Sequence, residues 1–171
     1  MAIADVLLPE FDHEMATTRK LLARVPEAQA DWRPHPRSQS FGEMALHVAG
    51  IPGYATAVLT QADLDVNPPG AAPAARPAFE STAGVLEQFD GHVARARAAI
   101  AATSDEQMVA PWALKNGGHT VMSLPRAAML RTLALSHMIH HRGQLSVYLR
   151  LQDIPVPSIY GPSADEKFGS A

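Results

Sequence analysis

The sequence predicts an all-α fold, most simply a four-helix bundle, and three observations carry that prediction. Four segments repeat apolar residues at the i, i+3/i+4, i+7 spacing of a helix that buries one face. Nothing between them alternates with the period of two expected of a half-buried strand. Each segment is also long enough, at about 1.5 Å per residue, to run about 30–40 Å alongside its neighbours.

The first helix is expected from about Asp5 to Val25, with Leu7, Leu8, Phe11, Met15, Leu22 and Val25 close to one stripe. Pro26 closes it by disfavouring a helical Val25, and Pro9 in its first turns offers an alternative start. The second begins at "SFGE", where Ser40 and Glu43 have the spacing of a capping box, and runs from about Phe41 to Thr60. Pro52, in "GIPG", removes a backbone donor and clashes with the carbonyl of Val48, so a kink or break is expected there. The third, about Thr82 to Ala102, follows the Pro- and Ala-rich "NPPGAAPAARPAF". The fourth starts near "SLPRA", with Ser123 as cap and Pro125 in the first turn, and continues to about Gln152. The linker between the second and third, about Asp63 to Ser81, could reach over about 55 Å if extended. It could therefore cross the bundle and let those two helices run parallel.

At 171 residues the chain is expected to form a single domain, residues 1–171, with a sizeable core. Hydrophobic residues make up 47% and charged residues 18%, which argues against disorder or a fibrous repeat. The formal charge of −3 and the scattered basic residues provide no footprint for nucleic acid. There is no cysteine, so disulfides, thiolate metal ligands and cysteine nucleophiles are excluded, and any metal must be held by nitrogen and oxygen. The start lacks a basic segment followed by a long apolar run, and no stretch reaches the roughly 18–20 apolar residues of a membrane span. A cytoplasmic protein with no membrane partner is the expectation.

The chemistry concentrates in "SHMIHHRGQLSVYLR", residues 136–150. On a helical wheel Leu130, Leu133, Ala134, His137, His141, Gln144, Tyr148 and Leu151 share one sector around His137, read as the buried face. His137 and His141 are one turn apart and can reach a single metal ion. The same pair could instead be core histidines satisfied by backbone carbonyls or a carboxylate. His47, amid the apolar residues of "EMALHVAG", shifts the balance, because three inward histidines satisfy one another poorly by hydrogen bonds and well through a divalent ion. Glu43 lies one turn before His47 and is either a cap or a partner of the site. His140, Gln144 and Tyr148 are candidates for a pocket or for bonding to a ligand. Gly143 suggests close helix approach or room for a ligand. His13, His35, His92 and His119 are read as surface residues. No general base is identified; His140, Glu43 and Glu14 are the candidates, and the catalytic residue stays unknown.

Taken together, "H-x-x-x-H-H-R-G-Q-x-x-x-Y-L-R", the histidine ending "SFGEMALH" and the early "TRKLLARVP…WRPHPRSQSFGE" resemble the DinB-like (DinB/YfiT) superfamily of metalloenzymes. The resemblance runs from about Glu14 to the tail "PVPSIYGPSADE". It implies a four-helix bundle in which three histidines hold a divalent transition metal, commonly zinc or nickel. By position the ligands would be His47, His137 and His141. Family activities include thiol-dependent transferases and a mycothiol-dependent maleylpyruvate isomerase, and many members are dimers. The resemblance thus implies a small-molecule substrate, among them low-molecular-weight thiols, and a homodimer. Three neutral histidines leave coordination positions open, the arrangement of a catalytic site. The function expected is that of a metal-dependent thiol S-transferase or hydrolase. The alternatives are a non-catalytic metal-binding or stress-response bundle, and a structural bundle whose histidines bind nothing.

Overall fold

The computed structural model describes residues 1–72 and 77–167. It is mostly helical, with a small three-stranded sheet. Helix α1 spans Ile3–Leu22, α2 Phe41–Gly50, α3 Pro52–Thr60 and α4 Thr82–Ala102; a short α5 covers Asp105–Val109. Strands β1 (Asp63–Asp65), β2 (Pro111–Asn116) and β3 (His119–Pro125) form the sheet. The last helical column is α6 (Arg126–Leu130), a π-helical stretch (Arg131–Ser136) and α7 (His137–Leu151).

Helix α1 starts at Ile3 because its first amides find acceptors: the Ile3 amide donates to Asp105 Oδ1 at 2.8 Å and the Ala2 amide to Asp5 at 2.9 Å. Pro9 lies within the helix on its exposed side and does not set the start. The capping box at Ser40 forms as expected. The Glu43 amide donates to Ser40 Oγ at 3.2 Å, and the Ser40 amide to Glu43 Oε2 at 2.6 Å. The break at Pro52 also forms, dividing the second segment into α2 and α3. The third helix has the expected bounds, with Ser81 as cap. Its His92 is half-buried, against the expectation of a surface residue; Gly53 of α3 gives its ring room, since a Cβ there would lie 3.1 Å from His92 Nδ1.

The sheet corrects the all-α expectation. Part of the linker, Asp63–Asp65, pairs parallel with β2, and β2 pairs antiparallel with β3. Gly117 and Gly118 form the hairpin turn at φ +61° and +80°, conformations that favour glycine, and their amides donate to the Asp65 carboxylate at 3.0 and 2.6 Å. Ser123 is therefore a strand residue and not a helix cap, and Pro125 ends the strand just before α6. Trp112 pins the sheet to the helices: its ring is buried and its Nε1–H donates to the Gln61 carbonyl at 3.1 Å.

Helix α1 packs on α4 and α7, and α2 packs on the same two helices. The core between them is apolar, with Phe11, Leu21, Phe41, Val48, Phe89, Ile100, Met129, Met138, Leu145 and Leu149 all buried. For function, the important contact is that of α2 with α7, which sets His47 against the histidines of the last helix.

Candidate metal centre

The capping box fixes where α2 begins and hence its phase. Phe41, Met44, Ala45 and Val48 turn into the core, which leaves Leu46 and His47 half-buried at the flank. On α7 the buried row is Met138, Arg142, Leu145 and Leu149, and the histidines lie beside it. This corrects the expected buried sector: His137, His141 and Gln144 are half-buried, and Leu151 is exposed. The apolar content of that face reads the same from sequence, but the true centre is one residue further round, where Met138 and Arg142 lie.

His47, His137 and His141 offer ligand nitrogens that all lie within 4.8 Å of one another. Their ring centroids are 5.1 Å (His47–His137), 4.4 Å (His47–His141) and 4.7 Å (His137–His141) apart, with planes crossing at 62°, 90° and 61°. Edges and lone pairs therefore converge on one point instead of stacking. The Nε2 atoms of His47 and His137 are 3.2 Å apart. Two imidazole nitrogens at about 2.0–2.1 Å from one tetrahedral ion would be about 3.3–3.4 Å apart, so the spacing fits a shared ion.

Two of the rings are also held in the tautomer that a metal requires. His141 Nδ1–H donates to Gln144 Oε1 at 2.7 Å, and His137 Nδ1–H donates to the Leu133 carbonyl at 3.3 Å. Each bond uses Nδ1 as the donor and leaves the acceptor lone pair on Nε2, which in His137 faces His47 Nε2. Burial, followed by the charges of His141 and His140, holds His137 below its ordinary pKa of 6.5. Burial also lowers that of His141, against the opposing hydrogen bond to Gln144. Both effects favour the neutral, ligating form at neutral pH. A donor set of three imidazole nitrogens suits a divalent transition metal ion, and the three residues are only partly buried.

The other expected residues take separate places. Glu43 is the cap partner and stands in the wall of a cavity of about 310 Å³ that also includes Gln39, Leu46, His47 and Pro77. His140 is exposed, its ring 4.8 Å from that of His141, and lies outside the triad. Gln144 orients His141. Tyr148 packs between Trp32 and Phe41 and donates its hydroxyl to the Gln39 carbonyl at 3.2 Å, so it supports the cavity wall. Gly143 is exposed with open space where a Cβ would lie, so close packing does not explain it. Glu14 is not placed as a base: it is buried, and its carboxylate meets Arg142 at 2.6 Å and accepts from the Tyr160 hydroxyl at 2.8 Å. Its partner Arg142 is the most deeply buried charge of α7.

Sequence reasoning missed Tyr54, whose ring centroid lies 5.8 Å from that of His137. Its signal was the i, i+7 spacing from His47, hidden by the break at Pro52. It also missed Gln39, and the π-helical stretch that ends directly before His137, a feature frequent at functional sites.

Comparison with known proteins gives the family and the fold. The family model described as the DinB superfamily matches residues 10–145. The uncharacterized protein YrdA of Bacillus subtilis (strain 168) is 44% identical over 48 residues, 27% of this chain and 28% of the relative, so the match spans little more than a quarter of that protein. Two solved structures share the fold. A DinB-like protein from Bacillus cereus ATCC 10987 superposes with a TM-score of 0.70 at 18% identity, covering 93% of this chain and 98% of the other. The DinB-like protein YjoA from Bacillus subtilis superposes with a TM-score of 0.66 at 19% identity, covering 89% and 96%. With the family model matched over most of its length and the same fold in these neighbours, the chain belongs to the DinB superfamily.

Proposed function

We propose that this chain is a metal-dependent enzyme, in which His47, His137 and His141 hold one divalent transition metal ion, zinc or nickel, and act on a small molecule brought to it. The observation that carries this reading is the convergence of three imidazoles whose Nδ1 donors, on His137 and His141, are already engaged elsewhere. A divalent ion bound there supplies Lewis acidity that lowers the pKa of a thiol or water. The protein's own part is to present three imidazole nitrogens, to fix the His141 ring through Gln144, and to admit substrate through the cavity at His47. Thiol S-transfer is the preferred reaction and hydrolysis the second. The cavity favours an enzyme over a non-catalytic metal-binding or stress-response protein, which needs no opening beside its ligands. The proposal extends to one domain over the whole chain and to a homodimer. Val147 and Leu151, one turn apart on α7 and each 55% exposed, offer an apolar face for the latter.

The test is metal analysis of protein purified without a histidine tag, alongside a His141→Ala variant. The proposal expects about one equivalent of transition metal per chain in the wild type, and loss of affinity in the variant with the melting behaviour of metal-free wild type. Below about a tenth of an equivalent, with no uptake on reconstitution, the enzyme reading fails. Full loading of His141→Ala would overturn the ligand assignment.

A further inference from the structure

The cavity at His47 has a chemical character of its own. Among the described residues its lining carries the charged Glu43 and the histidine His47, together with the amide residue Gln39 and the apolar Leu46 and Pro77. A smaller cavity of about 200 Å³ shares Leu46 and Pro77 with it and adds Glu80, Ser81 and Gln88. Among the described residues no lysine or arginine lines either one.

The Glu43 carboxylate is only half used. Its Oε2 accepts from the Ser40 amide at 2.6 Å, and Arg33 Nη2 approaches the same oxygen at 3.7 Å. Both of those side chains are nearly half exposed, 43% for Arg33 and 47% for Glu43, so solvent screens the pair and leaves most of the carboxylate's preference for cations in place. Oε1 is left to accept from a ligand. Glu43 and His47 lie one turn apart on the same helix, about 5–6 Å between their Cβ atoms, so a short molecule can touch both.

We infer that this cavity selects a small molecule bearing a protonated amine, held by Glu43 Oε1, with its reacting end directed to the histidine triad, in preference to a carboxylate or phosphate of the same size. A short aminothiol has this form. The inference rests on the reading of the triad as a metal centre for the site of the reacting end, whereas the choice of amine over carboxylate resides in Glu43 alone.

Cysteamine and mercaptoacetate provide a matched pair, alike in length and thiol and opposite in charge. Their affinities are measured by calorimetry on zinc-loaded protein, and a second pair without thiols, propylamine and propionate, is titrated by NMR on metal-free protein. The expected result is a preference for cysteamine of about tenfold, close to the effect of one partly solvated charge contact, retained in direction by propylamine without metal. Glu43→Gln keeps the cap, since glutamine serves in a capping box, and should bring the preference to about one. Equal or reversed affinities in the wild type, or a preference that survives in Glu43→Gln, would overturn the inference. If Glu43→Gln loses zinc, Glu43 acts as a ligand and the inference also fails. Failure of zinc uptake by the wild type would instead count against the metal centre, and the propylamine titration would still decide the role of Glu43.

Discussion

At the scale of single residues, the site depends on which nitrogen of each imidazole carries the proton. Gln144 determines this for His141: its Oε1 takes the Nδ1–H at 2.7 Å and leaves Nε2 to bind. Gln144→Leu keeps similar bulk and removes the acceptor. It should weaken zinc binding by about 10–100-fold, as loss of such supporting bonds does elsewhere, while the metal-free protein melts as before. A competition titration against a chromophoric chelator measures the first and calorimetry the second; unchanged zinc affinity would mean that the ring is oriented without Gln144. The histidines themselves were legible from spacing, one turn apart on one helix and isolated on another. The role of Gln144 was legible only as a position on a wheel, because an i, i+3 neighbour can point at the ring or away from it. The burial of Arg142 was not legible in the sequence, because only the fold brings Glu14 of the first helix to meet it.

At the scale of elements, the Arg142–Glu14 pair joins α1 to α7 and holds the C-terminal tail through Tyr160. Arg142 Nη2 donates to the Tyr160 hydroxyl at 2.6 Å, and that hydroxyl donates to Glu14. The side chains are 2% and 7% exposed, so removing one partner strands a buried charge. Arg142→Ala should therefore cost about 3–5 kcal/mol by urea denaturation. Glu14→Leu combined with Arg142→Met should recover much of that loss, since apolar replacement removes both charges together. A loss below about 1 kcal/mol in Arg142→Ala would show that solvent reaches the pair. The helix start at Ser40 and the break at Pro52 were legible because each is set by local chemistry, a hydroxyl acceptor or a missing amide. The sheet was not legible in the same way. Its first strand is three residues long and pairs across about fifty residues of chain, and its outer strands are half-exposed without clean alternation. The one local clue was "NGG" at the hairpin turn, a strong signal for a tight connection that helical periodicity on either side obscured.

At the scale of the whole molecule, the centre is a product of packing between distant segments. His47 lies 90 residues before His137, and they meet because α2 and α7 bury adjacent faces in one core. The capped α2 and the Arg142 anchor on α7 lie next to the three histidines and hold their nitrogens close together in the structure without an ion. X-ray absorption spectroscopy on zinc-loaded protein tests this most directly. The account predicts one zinc per chain with three imidazole nitrogens at about 2.0–2.1 Å, reduced in number when His47, His137 or His141 is replaced. A coordination shell of oxygen alone, or one that keeps three imidazoles after His47→Ala, would contradict it.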